Sequence, residues 1–147
     1  MYQRILVATD DSRLSRKAVK SAIGLAAALQ AELVIVHVVP RYPVAYFEGA
    51  VAMQAVDVAR IEKQWVEKGQ TVVDAAARSA QAAGVSARGV VVQSDAVADA
   101  LLSAAKKHRC DLVVMASHGR RGLQRVLLGS ETQHVLTRGN LPVLVLR

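Results

Sequence analysis

The sequence DLVVMASHGRRGLQRVLLGSET, residues 111–132, begins as an apolar run and continues into a loop of small and basic residues. The run that follows Asp111 is typical of a strand that is buried on both faces of a sheet. The loop carries Gly119 and Gly122 between arginines, and it contains no acidic residue before Glu131. Glycine lets a backbone take a positive φ or pass close to a ligand. This composition is the one expected where a protein meets an anion.

A helix is predicted to begin directly after this loop, at Gly129-Ser130. The first N–H groups of a helix have no intrahelical partner, and its positive dipole end attracts phosphate. A purely structural interpretation fits the same residues, because Ser130 and Gln133 can form a capping box. Gly119 and Gly122 can likewise be ordinary turn residues. Both interpretations remain open on this stretch alone.

The composition indicates one globular domain of 147 residues. Hydrophobic residues make up 52% but aromatic residues only 3%, so alanine, valine and leucine must fill the core. No apolar run approaches the ~20 residues that span a bilayer, and no signal-peptide pattern opens the chain, so a cytoplasmic protein is expected. The single cysteine, Cys110, excludes an internal disulfide and a site built from several thiolates. We interpret it as structural.

The formal charge of +7 permits nucleic acid, an anionic membrane surface or a phosphorylated ligand as partner. The basic residues are scattered, and no stacking aromatic residues lie between them, as a single-strand binder would require. We therefore expect no specific nucleic acid and no membrane as partner. The main basic residues are Arg13, Arg16, Lys17, Lys20, Lys106, Lys107, Arg109, Arg120, Arg121 and Arg125.

Five apolar runs alternate with four helical patterns along the chain. Strands are predicted over residues 4–9, 32–39, 87–93, 111–115 and 141–146, and helices over about 12–30, 53–83, 95–105 and 129–138. Asp95 is the predicted cap of the third helix, and Trp65 is expected in the core. Residues 41–49 hold most of the Tyr and Phe residues without a clear period, and they are interpreted as a mobile connection that can fold over a ligand.

This alternation predicts an α/β fold with one doubly wound, Rossmann-like sheet of five parallel strands and four helices. Ligands bind such sheets beyond the carboxyl ends of the strands, where the strand order reverses. The residues at these ends are Thr9-Asp10, Val38-Val39 and the loop from Ala116 to Arg121. Asp10 can accept a ribose hydroxyl or hold a divalent ion there, or it can simply cap the following helix.

Three segments resemble the universal stress protein family: VATD at residues 7–10, VHVV at 36–39 and MASHGRRGLQRVLLGS at 115–130. The resemblance covers the whole chain. The nucleotide-binding branch of that family carries G-x-x-G, nine residues and then G-S or G-T. Gly119, the nine residues 120–128 and Gly129-Ser130 match this signature, whereas its first glycine is Ala116. Alanine is small, but it disfavours a positive φ at that position.

The resemblance implies a fold like that of the adenine-nucleotide alpha-hydrolases and ATP as ligand, accompanied by Mg²⁺ or Mn²⁺. It also implies that Asp10 contacts ribose or the metal and that the backbone of Val38 faces adenine. A homodimer formed through the C-terminal strand is a further implication. The implied binding residues are Ala8, Thr9, Asp10, Val38, Met115, Ala116, Ser117, His118, Gly119, Arg120, Arg121, Gly129, Ser130, Glu131 and Thr132.

The expected function is that of an ATP-binding stress regulator with little or no turnover. His118 is the one attractive general base, and the sequence places no carboxylate beside it, so we assign no catalytic residue. Neither a P-loop nor a G-x-G-x-x-G motif occurs. Three alternatives remain open: a slow ATP hydrolase or adenylyl-transferring enzyme, an interaction module whose site has decayed at Ala116, and a nucleic-acid binder.

Overall fold

Five parallel strands form one sheet, covered by four helices, in the computed structural model, which describes residues 1–43, 55–120 and 128–147. The strands are β1 Arg4–Ala8, β2 Glu32–Val39, β3 Ala87–Gln93, β4 Leu112–Ala116 and β5 Val143–Leu146, and the helices are α1 Arg13–Leu29, α2 Ala55–Ala82, α3 Val97–Lys107 and α4 Ser130–Arg138. The strands lie side by side in the order β3-β2-β1-β4-β5. The predicted fold class, with five parallel strands and four helices, is confirmed.

The two faces of the sheet bury separate hydrophobic clusters, because successive side chains of a strand point to opposite sides. One cluster gathers Ile5, Val7 and Ile35 with residues of α1 and α2. The other gathers Leu6 and Val36 with residues of α3 and α4. All five residues of β4 are buried, which agrees with a strand covered on both faces. No helix in the described part of the chain has an apolar stretch long enough to cross a membrane.

The strand order reverses between β1 and β4, because β1 connects onward to β2 on one side while β4 lies on the other. Ligand crevices of doubly wound sheets open at this point, beyond the carboxyl ends of the two strands. Thr9-Asp10 follows β1 and Ser117-His118 follows β4. The topology therefore brings two of the predicted segments to one edge.

The expectation that Trp65 lies in the core is wrong. Trp65 is half-buried and stacks on Tyr42, with ring centroids 5.9 Å apart. The buried face of α2 starts only at Gly69 and continues through Val73 and Ala77. With 28 residues α2 is about 42 Å long, and it extends past strands of about 26 Å at most. Its first turns therefore pack on the segment after β2.

The predicted cap of α3 is wrong, and the capping box offered as an alternative for α4 does not form. Asp95 does not cap α3: its carboxylate accepts the backbone N–H of Arg41 at 2.9 Å. The cap comes from α4, where Glu131 Oε2 accepts the N–H of Ala98 at 3.0 Å. Ser130 is the first residue of α4, whose N-cap is Gly129. A capping box needs the serine at the N-cap position, so none forms here, and the Gln133 side chain donates to the carbonyl of Leu128 at 3.0 Å.

Several predictions fall on residues outside the described ranges. They concern Arg121 among the predicted binding residues, the loop residues Gly122 and Arg125, and most of the connection predicted over residues 41–49.

Cys110 is buried in the connection between α3 and β4. Burial raises the pKa of its thiol to about 11, so the reactive thiolate is scarce at neutral pH. This agrees with a structural cysteine.

Candidate functional site

The turn after β1 is held by its own side chains. The Thr9 hydroxyl is buried, lies 3.1 Å from Ser15 Oγ and accepts the N–H of Asp11, also at 3.1 Å. Ser12 caps α1 by accepting the N–H of Ser15 at 3.2 Å. Asp11 adopts a left-handed φ of 63°, which aspartate tolerates better than most residues. The turn is thereby fixed close to the end of β4.

The Asp10 carboxylate joins this turn to the loop after β4. Oδ1 accepts the N–H of Ser12 at 3.0 Å, and Oδ2 accepts the N–H of Arg120 at 2.9 Å. Burial raises the pKa of Asp10, but hydrogen bonds from Ser12, Arg120 and Ser15 outweigh it and hold the pKa below its ordinary value. Asp10 is therefore an anion at neutral pH, and each oxygen retains a lone pair for a further partner.

The loop after β4 is tied directly to the amino end of α4. The N–H of Gly129 donates to the carbonyl of Ser117 at 2.6 Å. The Thr132 hydroxyl donates to the carbonyls of Ala116 and Ser117, at 2.9 and 3.2 Å. Although residues 121–127 lie outside the described ranges, these bonds bring the two halves of the predicted loop together.

The amino end of α4 presents free backbone donors to this edge. The first backbone bond into the helix runs from the N–H of Gln133 to the carbonyl of Gly129, at 3.0 Å. The N–H groups of Ser130, Glu131 and Thr132 therefore have no intrahelical acceptor. Ser130 is exposed, and its hydroxyl caps no helix. Three amides and one hydroxyl at the positive end of a helix dipole can together hold a phosphate group.

Gly119 and Gly129 are closely packed, and neither adopts a positive φ. A Cβ placed on Gly119 would collide with Oδ2 of Asp10. A Cβ on Gly129 would lie 3.3 Å from both the Cα of His118 and the carbonyl oxygen of Ser117. The two glycines thus let three connecting segments approach one another.

Ala116 replaces the first glycine of the family signature without backbone strain. It is the last residue of β4, pairs with Leu146 and has no positive φ. The side chain is only 8% exposed. Alanine therefore does not pay the conformational free energy that a positive φ would cost it at this position.

The backbone of Val38 lies at the open edge beside β1. Glu32 and Val36 bond toward β1, since Glu32 N–H donates to Gln3 and the Val36 carbonyl accepts from Thr9, both at 2.9 Å. Alternation places the N–H and carbonyl of Val38 on the same side. Ala8 of β1 pairs with Val36, and β1 ends there, so these groups lie past its end.

Some predicted binding residues offer only their backbone. Met115 is buried in the cluster under α3 and α4, the Glu131 carboxylate caps α3, and the Thr132 side chain is buried against the β4 loop. His118 Nδ1 lies 3.2 Å from Ser117 Oγ, so its partner is a hydroxyl. Ala8 and Thr9 lie at the end of β1 and line the same edge.

Ser15 is a site-supporting residue that the sequence interpretation missed. Its hydroxyl is within hydrogen-bond distance of Thr9 Oγ1, the Asp10 N–H and the Ser12 carbonyl. The sequence Ser12-Arg-Leu-Ser15 was the available signal, because a serine three residues after an N-cap can turn its hydroxyl back to the turn.

All 147 residues match the sequence profile of the Universal stress protein family. The chain is 31% identical over its full length to universal stress protein MJ0531 of Methanocaldococcus jannaschii, covering 83% of that protein. It is 32% identical to universal stress protein YxiE of Bacillus subtilis, with both chains covered completely. A solved universal stress protein in complex with cAMP is 30% identical, with a TM-score of 0.67 and 99% and 97% of the two chains covered. The chain therefore belongs to the universal stress protein family.

Proposed function

We propose that this chain is an ATP-binding regulator of the universal stress protein family with little or no turnover. The triphosphate lies against the N–H groups of Ser130, Glu131 and Thr132, and the ribose lies between Asp10 and the segment from Ala116 to Arg120. Adenine bonds to the backbone of Val38. A single-domain, cytoplasmic homodimer that pairs along β5 completes the proposal.

The observation that carries this proposal is that the loop after β4 and the amino end of α4 are bonded together at one place. Gly129 N–H bonds to the Ser117 carbonyl, and three free amides of α4 lie beside that bond. A phosphate there gains hydrogen bonds from backbone groups that do not have to be rearranged. The 30%-identical relative in complex with cAMP supports an adenine nucleotide as the ligand class.

Asp10 and a divalent ion are compatible with the same geometry. Mg²⁺ in nucleotide sites is usually held by one or two carboxylates together with the phosphates. Asp10 is an ionised carboxylate at this edge, and its remaining lone pairs are available to bind ribose or the ion. When bound, the ion would neutralise phosphate charge.

The surroundings of His118 favour binding over hydrolysis. Within the described ranges its ring bonds to Ser117 Oγ, whereas a histidine general base is usually oriented by a carboxylate. We therefore expect ATP to remain intact on the protein over many binding cycles.

The first test is calorimetry with Mg-ATP on the Gly129→Val variant. A micromolar affinity corresponds to about 8 kcal/mol, and the variant should lose it because the new side chain pushes α4 away from Ser117. Gly24→Val is the matched control, since open space surrounds Gly24 on α1. Normal ATP binding by Gly129→Val would contradict the placement of the phosphates.

A second variant separates binding from folding. Ser130→Glu places a negative charge where the phosphates are proposed, yet an acidic residue in the first turn stabilises a helix. We expect ATP binding to fall at least about tenfold while the unfolding transition stays the same or rises. Ser103→Glu, at an exposed position of α3, should leave ATP binding unchanged.

A further inference from the structure

A cluster of basic residues surrounds a cavity at the amino-terminal edge of the sheet, opposite the nucleotide site. The cavity has a volume of about 200 Å³ and is lined by Arg4, Val34, Arg88, Lys107, His108 and Arg109. We call this set the amino-edge cluster. Every lining residue except Val34 is a cation or a histidine.

Three elements bring these residues together. Arg4 and Leu6 of β1 are on the same face of the sheet, and Leu6 packs under α3. Arg88 of β3 pairs with Val34, and the Val34 side chain packs with Leu6 in the hydrophobic cluster under α3. Lys107 ends α3, and His108 and Arg109 follow it. The cavity thus lies between the carboxyl end of α3 and the amino-terminal ends of β1 and β3.

Most of the positive charge in the amino-edge cluster is uncompensated. Arg4 alone has a carboxylate partner, Glu32, at 2.7 Å, and it also donates to the His108 carbonyl at 2.8 Å. Asp111 lies nearby, where it accepts the N–H groups of Gln3 and Arg4. Arg88, Lys107 and Arg109 form no ion pair with any residue in the described ranges.

The carboxyl end of α3 opposes an anion, because its dipole places roughly half a negative charge there. Its terminal carbonyls are largely occupied, however. Ala104 accepts from His108, Ala105 from Cys110 and Lys106 from Arg109, at 2.9, 2.8 and 3.1 Å. Arg109 reaches this arrangement with a left-handed φ of 56°. Three unpaired cations outweigh the partial charge of the helix end.

The pKa of His108 depends on the charges of the amino-edge cluster. Burial lowers its pKa, and the neighbouring charges of Arg88, Lys107 and Arg4 lower it further. The carboxylates that face this region are Glu32, which pairs with Arg4, and Asp111, which binds backbone amides. An anion bound among the cations would therefore raise the pKa of His108.

We propose that the amino-edge cluster is a second anion site, which binds the phosphate group of a small ligand through Arg88, Lys107 and Arg109. Guanidinium groups match phosphate oxygens in a bidentate manner, and lysine adds a point charge. The cavity volume of about 200 Å³ corresponds to roughly seven water volumes of ~30 Å³. This space suits a phosphate or a phosphomonoester head and is smaller than the ~300 Å³ or more of drug-sized ligand pockets.

NMR of the His108 ring during titration with inorganic phosphate tests this site, at constant ionic strength maintained with chloride. The titrations use the Ser130→Glu protein, so that the nucleotide site is not occupied. We expect saturable binding that raises the pKa of His108. Arg88→Gln and Lys107→Gln should each weaken binding about twofold to fivefold, the range for exposed charge pairs. Methyl phosphate, titrated in parallel, shows whether free phosphate or a phosphomonoester binds better.

Arg78→Gln is the matched control, because it removes one exposed positive charge from α2, which packs on the opposite face of the sheet. Equal weakening by this variant would reduce the effect to general charge and overturn the proposal. A His108 response that chloride alone reproduces would also overturn it, as would binding of an oligonucleotide through Arg88 and Lys107 without any response to phosphate. ATP calorimetry on the Arg88 and Lys107 variants should be unchanged, so this site can fail while the proposed nucleotide function stands.

Discussion

Asp10 shows how one residue can stabilise the fold and still be available to the proposed site. Its two oxygens accept N–H groups from Ser12 and from Arg120, which are in the connections after β1 and β4. The sequence interpretation offered a ribose or metal contact and a helix cap as alternatives. The cap of α1 is Ser12, and the Asp10 carboxylate positions the two loops while it keeps lone pairs free for a ligand.

Asp10→Asn should destabilise the protein by about 1–2 kcal/mol at pH 7, since one of its hydrogen bonds would face an amide N–H instead of an oxygen. The pKa of Asp10 lies below its ordinary value of 3.8 in the folded state. Its stabilisation is therefore fully present above pH 3.8 and is lost as the pH falls through the folded pKa. Urea unfolding from pH 7 to pH 2 should show that the free energies of unfolding of the parent protein and the variant converge at the acid end.

Asp74→Asn is the control for this experiment, because within the described ranges Asp74 accepts just one side-chain bond, from Gln70 on the surface of α2. A destabilisation by Asp74→Asn as large as that by Asp10→Asn would show that the loop contacts of Asp10 contribute little.

At the scale of elements, α3 and α4 depend on each other. The amino end of α3 has no side-chain cap from its own residues, and Glu131 of α4 supplies the acceptor. Glu131 is next to Ser130, so the helix end proposed to bind phosphate also carries the group that fixes α3.

Glu131→Ala should lower the free energy of unfolding by about 1 kcal/mol, the usual effect of losing a cap. Amide exchange at Ala98 should become faster, because its N–H loses the acceptor. Hydrogen exchange followed by NMR measures both the local and the global effect. Glu131→Gln keeps an acceptor oxygen and should restore most of the protection. If Asp95→Ala accelerates exchange at Ala98 as strongly, the cap assignment to Glu131 is wrong.

At the scale of the whole molecule, β5 is an edge strand that is bonded to β4. Its Leu144 side chain is 39% exposed. An apolar edge of this kind is a template for pairing with another strand. A second copy of the chain, related by a two-fold axis, would cover this edge on both protomers at once.

Light scattering at micromolar concentrations should therefore give the mass of a dimer, and Leu144→Lys should shift it to that of a monomer. Charge on an edge strand disfavours strand pairing, and burying an unpaired lysine in an interface is costly. Val56→Lys is the control, since Val56 is 78% exposed at the start of α2, away from β5. A monomeric parent protein, or a dimer that persists in Leu144→Lys, would exclude this interface.

The sequence by itself determined the order of strands and helices and the position of the helix start at Gly129-Ser130. These features depend on local physics, because apolar periodicity and glycine or serine at helix ends act over a few residues. The resemblance over residues 7–10, 36–39 and 115–130 determined the family. The prediction of ATP as ligand still awaits calorimetry.

Only the tertiary structure decided which side chains meet. Asp10 binds the backbone of Arg120, 110 residues away, and Glu131 caps a helix 33 residues before it. Trp65 lies outside the core because α2 is longer than the sheet it covers. The amino-edge cluster likewise forms because Arg88 of β3 and Lys107 at the end of α3 line one cavity. Such contacts depend on which strands lie side by side in the sheet and on how far each helix extends past them, and local sequence patterns do not specify that three-dimensional arrangement.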